Sequence, residues 1–240
     1  MILEKIDSRL RDWSFSRSAN ERSWPVLIPS ATLRRAGYHQ AFPHLLMSTA
    51  VVDDPAANDS SLRNSGYDLS PAVCYHAYAS LEGQKIQEGI VFAARGHCFR
   101  NEDPAQLKPG RRQIEFQMRE LIFVGDAAWL EEQLKGVESE VAHLAQSFNL
   151  EGGWEAASDP FFLPQTQARG KAALQKLLGT KQEYCLPDGL AISSINRHRT
   201  FFGERFDISL PGGKAVHSAC VAFGLDRWAA HAQPQVQPHD

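Results

Sequence analysis

The sequence predicts an α+β fold built on an antiparallel sheet flanked by helices. Three observations lead there. Strand-type runs dominate the middle and end of the chain, helical patterns lie beside them, and nowhere do the two alternate in the βαβ rhythm of a parallel sheet. With 240 residues, 43% hydrophobic and 22% charged, the chain can bury a substantial core and fits one large or two small domains.

The elements follow in order. MILEKIDSRLRDWSF at the start is charged throughout and lacks the apolar centre of a secretion signal, so it reads as an amphipathic helix. Pro25, Pro29 and Pro43 surround LRRAGYHQAFPHLL, a helix running into a proline-marked extended segment. Residues 53–66, DDPAANDSSLRNSG, are turn-formers and polar groups, hence a loop. Ile90 to Glu102 and Arg112 to Gly125 read as two strands joined by the hairpin loop DPAQLKPG. Asp126 then caps a helix in which Leu130, Leu134, Val137, Val141, Leu144 and Phe148 recur at helical spacing, a core-packing stripe. A loop with Gly152, Gly153 and Pro160 precedes a further helix over 168–182. Short strands through Asn196 and the run 218–228 follow, and the tail from Gln233 reads as disordered.

Composition narrows the function classes. No run approaches the roughly 18 apolar residues of a membrane span. Cys74, Cys98, Cys185 and Cys220 form no CxxC pair and stand far apart, which favours reduced thiols and a cytoplasmic location. A net charge of −3 argues against a broad nucleic-acid surface.

Ser218 to Trp228, SACVAFGLDRW, runs as an apolar strand containing Cys220, then turns at Gly224 into a helix start carrying Asp226 and Arg227. Such a junction suits a metal and a phosphate lying side by side, and it also suits a plain strand–helix turn. In the second putative strand Ile114, Phe116 and Met118 alternate with Gln113, Glu115, Gln117 and Arg119. Glu120 then falls on the apolar parity. A carboxylate aimed inward must be paired, protonated or coordinated, unless a bulge shifts the register. Arg100 and Glu102, in FRNE, share a parity, and Arg112 opens the returning strand. With Phe116 they make a nucleotide seat, or Glu102 and Arg112 form an ordinary cross-strand ion pair.

These strings together resemble class II aminoacyl-tRNA synthetase catalytic domains. FRNE followed by Arg112-x-x-x-Phe116 is similar to that superfamily's second motif, FGLDR at 223–227 to its third, and GYHQAFPHLL, more loosely, to the first, which forms the dimer interface. More narrowly, SPAVCYH at 70–76, RRQIEFQMREL at 111–121, AISSINRHRTFFG at 191–203 and HSACVAFGLDRW at 217–228 resemble the atypical seryl-tRNA synthetase of methanogens. They resemble even more its bacterial relatives, the amino acid:[carrier protein] ligases. The similarity spans approximately residues 25–230. It implies one class II synthetase-like catalytic domain over 1–232, with a helical insertion at about 160–185, and a homodimer.

The resemblance further implies a zinc ion held by Cys74, Glu120 and Cys220, its open position taking the α-amino group of the substrate. Arg100 would hold the α-phosphate of ATP and Arg227 the γ-phosphate, Glu102 would read the adenine amine, and Phe116 would stack on the base, with Arg112 beside them. Magnesium is expected with ATP, although GLAISSIN lacks the usual acid for it and Asn196 is the nearest polar candidate. Cys98 and Cys185 match no metal position, and His76, His97, His198 and His217 are expected to pack or to support the site rather than to catalyse.

The implied activity is ATP-dependent activation of a small amino acid, glycine or alanine, as an aminoacyl adenylate. Transfer to the phosphopantetheine thiol of a carrier protein would follow. Arg169, Lys171 and Lys176, with Lys181, form a basic stretch in 168–182 that would dock an acidic carrier, or simply solvate a helix. Only about two dozen residues precede the first motif, which disfavours a tRNA-charging enzyme with an added tRNA-binding domain. A synthetase-like paralogue that binds or regulates without catalysis is the other alternative.

Overall fold

The computed structural model describes residues 1–52, 62–157 and 181–232. A seven-stranded sheet organises them, in the order β1-β5-β6-β10-β9-β8-β7. Its strands are β1 (Asn20–Arg22), β5 (Ile90–Phe99), β6 (Glu115–Gly125), β7 (Gly153–Ala156), β8 (Lys181–Cys185), β9 (Ala191–Arg199) and β10 (His217–Gly224). All pairs are antiparallel except β1 with β5, which run parallel. A smaller antiparallel sheet joins β2 (Leu27–Pro29), β4 (Leu62–Leu69) and β3 (Ser48–Val52), in that order.

Each face of the large sheet is covered, and the strand period of two divides the side chains between two cores. On one face Val91, Ala93, Leu121, Phe123, Ala219, Val221 and Phe223 meet helices α1 (Ile2–Ser16), α5 (Ala127–Leu134) and α6 (Val137–Gln146). On the other, Phe92, Ile122, Val124 and Cys220 meet α2 (Ser30–Arg35), α3 (Tyr38–Ala41), α4 (Cys74–Ser80) and α7 (Phe201–Arg205). Helix α8 (Leu225–His231) follows β10 directly and buries Trp228 in the first core. Burying a single Leu or Phe contributes roughly 1.5–3 kcal/mol, so the alternation itself holds the register. The first helix docks as its pattern predicts, with Ile6, Leu10 and Ser14 buried along one stripe.

Four local expectations need correction. The apolar stripe after Asp126 continues across two helices, not one. Asp126 caps α5 as expected, its side chain accepting from the Ala128 and Trp129 N–H groups. The chain then breaks at Gly136, where φ is 78°, before α6 resumes the same stripe. Similarly, Gly37 at φ 81° divides the expected helix around LRRAGYHQAF into α2 and α3. Residues 62–66 belong to β4 rather than to a loop, and that strand is mostly exposed, so no apolar alternation betrays it. Lys181 and Gln182 open β8 rather than end a helix. The rest of the expected 168–182 helix, with Arg169, Lys171 and Lys176, and the expected tail from Gln233 lie outside the described residues.

Candidate active site

The buried face under α4 carries the candidate metal ligands. Strand β6 presents Glu120 and Ile122 on one side. β10 lies beside it with Ala222 opposite Glu120 and Cys220 opposite Ile122. Glu120 and Cys220 are therefore diagonal neighbours on one face. Cys74, the first residue of α4, reaches the same point from above the sheet. The ligand atoms of Cys74, Glu120 and Cys220 all lie within 4.8 Å of one another. All three residues are buried, Glu120 to 1% exposure.

Their electrostatics are coupled. One Glu120 oxygen, Oε1, accepts from the Val73 N–H at 3.1 Å, whereas Oε2 has no hydrogen-bond partner although it is buried. Burial, then the charge of Cys220, pushes the Glu120 carboxyl up to about 8. The Cys74 thiol is pushed well up, first because it donates to Cys220 and then by burial. Cys220 is held well below the usual thiol range, the Cys74 hydrogen bond outweighing burial, with His198 and Asn196 adding to it. Three acidic groups thus share one buried site, an arrangement that a bound cation would relieve. Two sulfurs and one carboxylate form a donor set that favours a thiophilic divalent ion over magnesium or calcium, and the orphaned Oε2 fits a ligand role.

The nucleotide candidates surround the same cavity of about 280 Å³, which Cys74, Glu120 and Cys220 also line. Arg100 and Glu102 follow the end of β5, and Arg112 and Phe116 stand on the far side of the hairpin. Glu102 and Arg112 are ion-paired at 2.5 Å, but both lie outside the strands, which end at Phe99 and begin at Glu115 rather than at Glu102 and Arg112, and both line the cavity. Arg100 donates to the Pro71 carbonyl through Nε and Nη2, both at 3.3 Å. Its guanidinium lies over the Phe116 ring, 5.0 Å from the centroid.

Arg227 is anchored by backbone, its Nε donating to the Arg111 carbonyl at 2.8 Å and its Nη1 to the Ala191 carbonyl at 2.7 Å. Burial first, then the neighbouring charges of Arg100 and Arg112, lower its hold on its proton. Among the described residues no carboxylate lies within ion-pair range of Arg100 or Arg227. Arg100, Arg112 and Arg227 confined together repel one another, which the carboxylates of Glu183 and Glu102 offset only in part, and such a cluster suits a polyanion.

The structure adds residues that sequence reasoning missed. Lys181 and Glu183, ion-paired at 2.9 Å, line the cavity from β8. Lys181 therefore stands in the site wall, not on a docking helix, and only the two-residue spacing of a strand could have placed both there. Asn196, weighed for magnesium, donates to Cys220 Sγ at 3.5 Å and to Ser194 Oγ at 3.1 Å. All four cysteines are free and buried. Cys98 packs with Val73 and Ala94 and is not one of the three clustered ligands.

With this geometry in place, comparisons with known proteins locate the chain. No protein-family model matches it. It is 31% identical over 227 residues to amino acid–[acyl-carrier-protein] ligase 1 of Bradyrhizobium diazoefficiens, covering 86% of this chain and 68% of that one. To ligase 2 of the same organism it is 32% identical over 231 residues, covering 86% and 66%. The type-2 serine–tRNA ligase of Methanocaldococcus jannaschii is 28% identical over 176 residues, which is 70% of this chain and 34% of that enzyme. In fold, M. kandleri seryl-tRNA synthetase, solved in complex with A. aeolicus tRNASec, superposes with a TM-score of 0.78 at 19% identity, over 95% of this chain and 51% of that one. Giardia lamblia prolyl-tRNA synthetase, solved with prolyl-adenylate, reaches 0.70 at 14% identity, over 95% and 44%. The fold is that of a class II aminoacyl-tRNA synthetase catalytic domain, and the chain belongs to the amino acid–[acyl-carrier-protein] ligase family.

Proposed function

We propose that the protein activates a small amino acid, glycine or alanine, with ATP and transfers it to the phosphopantetheine thiol of a carrier protein. One observation carries this reading: the Cys74–Glu120–Cys220 cluster and the guanidinium groups of Arg100 and Arg227 line a single cavity. Cys74, Glu120 and Cys220 would hold a zinc ion. When bound, zinc supplies a Lewis-acid position that takes the amino group of the substrate.

The chain's own groups account for the remaining steps. Arg227, immobilised by two carbonyls, would grip the terminal phosphate, and Arg112 adds positive charge nearby. Glu102 would accept from the adenine amine. Phe116 would stack on the base as Arg100 leaves its ring for the α-phosphate, where it neutralises charge developing at phosphorus. The amino-acid carboxylate attacks that phosphorus and pyrophosphate departs. The carrier thiol then attacks the acyl carbon, AMP leaves, and the thiol proton passes to the medium. Positioning and electrostatics supply the rate, so no nucleophilic side chain on the enzyme is required. Magnesium would enter with ATP.

Exposed apolar side chains on the small sheet, Leu27, Val52, Leu62 and Tyr67 among them, support a homodimer. Among the described residues no helix is long and apolar enough to cross a membrane, and the free thiols support a cytoplasmic location. Carrier docking by Arg169, Lys171 and Lys176 rests on their charge alone.

Amino-acid-dependent exchange of pyrophosphate into ATP tests the proposal. Exchange with glycine or alanine is expected, and none with any small amino acid in metal-replete protein sinks it in favour of a non-catalytic paralogue. Holo-carrier protein offered beside tRNA then decides the acceptor. Cys220→Ser should abolish metal binding and exchange together.

A further inference from the structure

A fourth side chain stands against the candidate ligands, and its bonding pattern is more specific than packing requires. His198 lies on β9, 8% exposed, with its two ring nitrogens facing different partners. Nε2 is 3.8 Å from Cys220 Sγ. Nδ1 is 3.1 Å from the Tyr78 hydroxyl and 3.4 Å from Ser218 Oγ. The ring is set edge-on to Phe202 at 4.9 Å between centroids, and Phe202 in turn stacks on Tyr78 at 4.2 Å. Aromatic walls leave the imidazole little freedom to rotate.

The chemistry of the sulfur decides how this chain of groups must be polarised. A metal-bound thiolate has lone pairs and no proton, so a polar group facing it has to donate. If Nε2 carries the donated hydrogen, Nδ1 of the same neutral ring is an acceptor. The two groups that face Nδ1 are hydroxyls, each able to donate.

We propose that His198 is a positioning residue for Cys220: its Nε2–H donates to the sulfur and holds it toward Cys74 and Glu120, while Tyr78 and Ser218 fix the tautomer from the far side of the ring. This rests on the reading of Cys74, Glu120 and Cys220 as metal ligands. Asn196 donates to the same sulfur, so Cys220 is aimed by two N–H groups from one strand. Glu120, by contrast, is aimed by a single backbone N–H. Groups that orient a metal ligand in this way typically change metal affinity by about 10–100-fold.

Cobalt(II) loaded into the full chain provides the test, because cysteine-to-cobalt charge transfer reports on the sulfur itself. His198→Leu is expected to weaken cobalt binding by about 10–100-fold in chelator competition. It should also move the charge-transfer band to longer wavelength, as the thiolate loses a hydrogen bond. His198→Gln, which keeps an N–H, should stay within a few-fold of the wild type. Tyr78→Phe combined with Ser218→Ala should shift both readouts in the same direction as His198→Leu, by less. Wild-type affinity with an unshifted band in folded His198→Leu overturns the proposal. Should that variant fail to fold, the same outcome in the Tyr78–Ser218 double variant overturns it. A wild-type chain that shows no cysteine-to-cobalt band overturns instead the metal reading beneath it.

Discussion

Arg119 and Glu120 are consecutive residues of β6, both almost wholly buried, and they point to opposite faces of the sheet. Arg119 is fully engaged. Its Nε donates to Asp7 at 2.7 Å and its Nη1 to both oxygens of Glu21 at 2.9 Å, and Arg95 binds Asp7 and Glu4 alongside. Glu120 has one backbone N–H on one oxygen and nothing on the other. Burial of a charge therefore does not separate architecture from chemistry in this molecule; completeness of pairing does. The Arg119 side closes helix α1 onto the sheet, whereas the Glu120 side leaves an acceptor, Oε2, without a hydrogen-bond partner among the described residues.

Breaking the Glu120 side should have the largest effect. Glu120→Gln keeps the shape and removes the anionic donor, so metal affinity should fall by at least about 100-fold, and pyrophosphate exchange should disappear with it. The metal-free variant should be at least as stable as the wild type, since a neutral amide replaces a carboxyl whose charged form burial disfavours. Chelator competition and urea unfolding check the two halves, and metal retained at wild-type affinity would remove Glu120 from the ligand set. Asp7→Asn is the mirror experiment. It leaves the buried Arg119 short of a counter-charge and should cost about 3 kcal/mol in urea unfolding. Metal affinity of the folded variant should not change, and a drop there would mean that the two faces are coupled through β6.

The same pair shows how much could be read from the chain alone. Parity singled out Glu120 because three apolar residues set a period that it joined, and the resemblance to the synthetase family then brought in Cys74 and Cys220, which sit within reach of it. Arg119 drew no notice because it followed Gln113, Glu115 and Gln117 on the polar parity. Yet beyond residue 119 both faces of β6 are covered, and α1, more than a hundred residues earlier in sequence, supplies its partner. The break at Gly136 was hidden because the apolar stripe keeps its phase across it. Strand β4 was hidden because an exposed peripheral strand needs no apolar alternation. Local pattern thus revealed what a strand face demands, and missed what distant elements provide.

A smaller effect sits at the edge of the Glu120 side. His76, on α4, stacks against Trp24 at 6.1 Å, and burial pushes its ring down to about 4 from an ordinary 6.5. The unfolded chain therefore takes up a proton that the folded chain refuses. Stability from this group is fully present above about pH 6.5 and is lost as pH falls toward 4. Urea unfolding of the metal-free protein between pH 4 and 7 should show that slope, and His76→Gln should flatten it. An unchanged slope would show that other groups dominate acid unfolding.

The smallest effect should come from the Arg119 side, at a position without charge. Gly136 holds φ at 78° between α5 and α6, and an added Cβ would meet Glu140 Oε1 at 3.5 Å, an ordinary contact. Gly136→Ala therefore carries only the left-handed backbone penalty, about 1 kcal/mol. That loss should appear in urea unfolding with metal affinity and exchange unchanged. It isolates backbone strain on the architectural face from the loss of a counter-charge tested by Asp7→Asn. If so small a perturbation of α6 reached the metal site, completeness of pairing would no longer separate the two faces, because packing alone would link them.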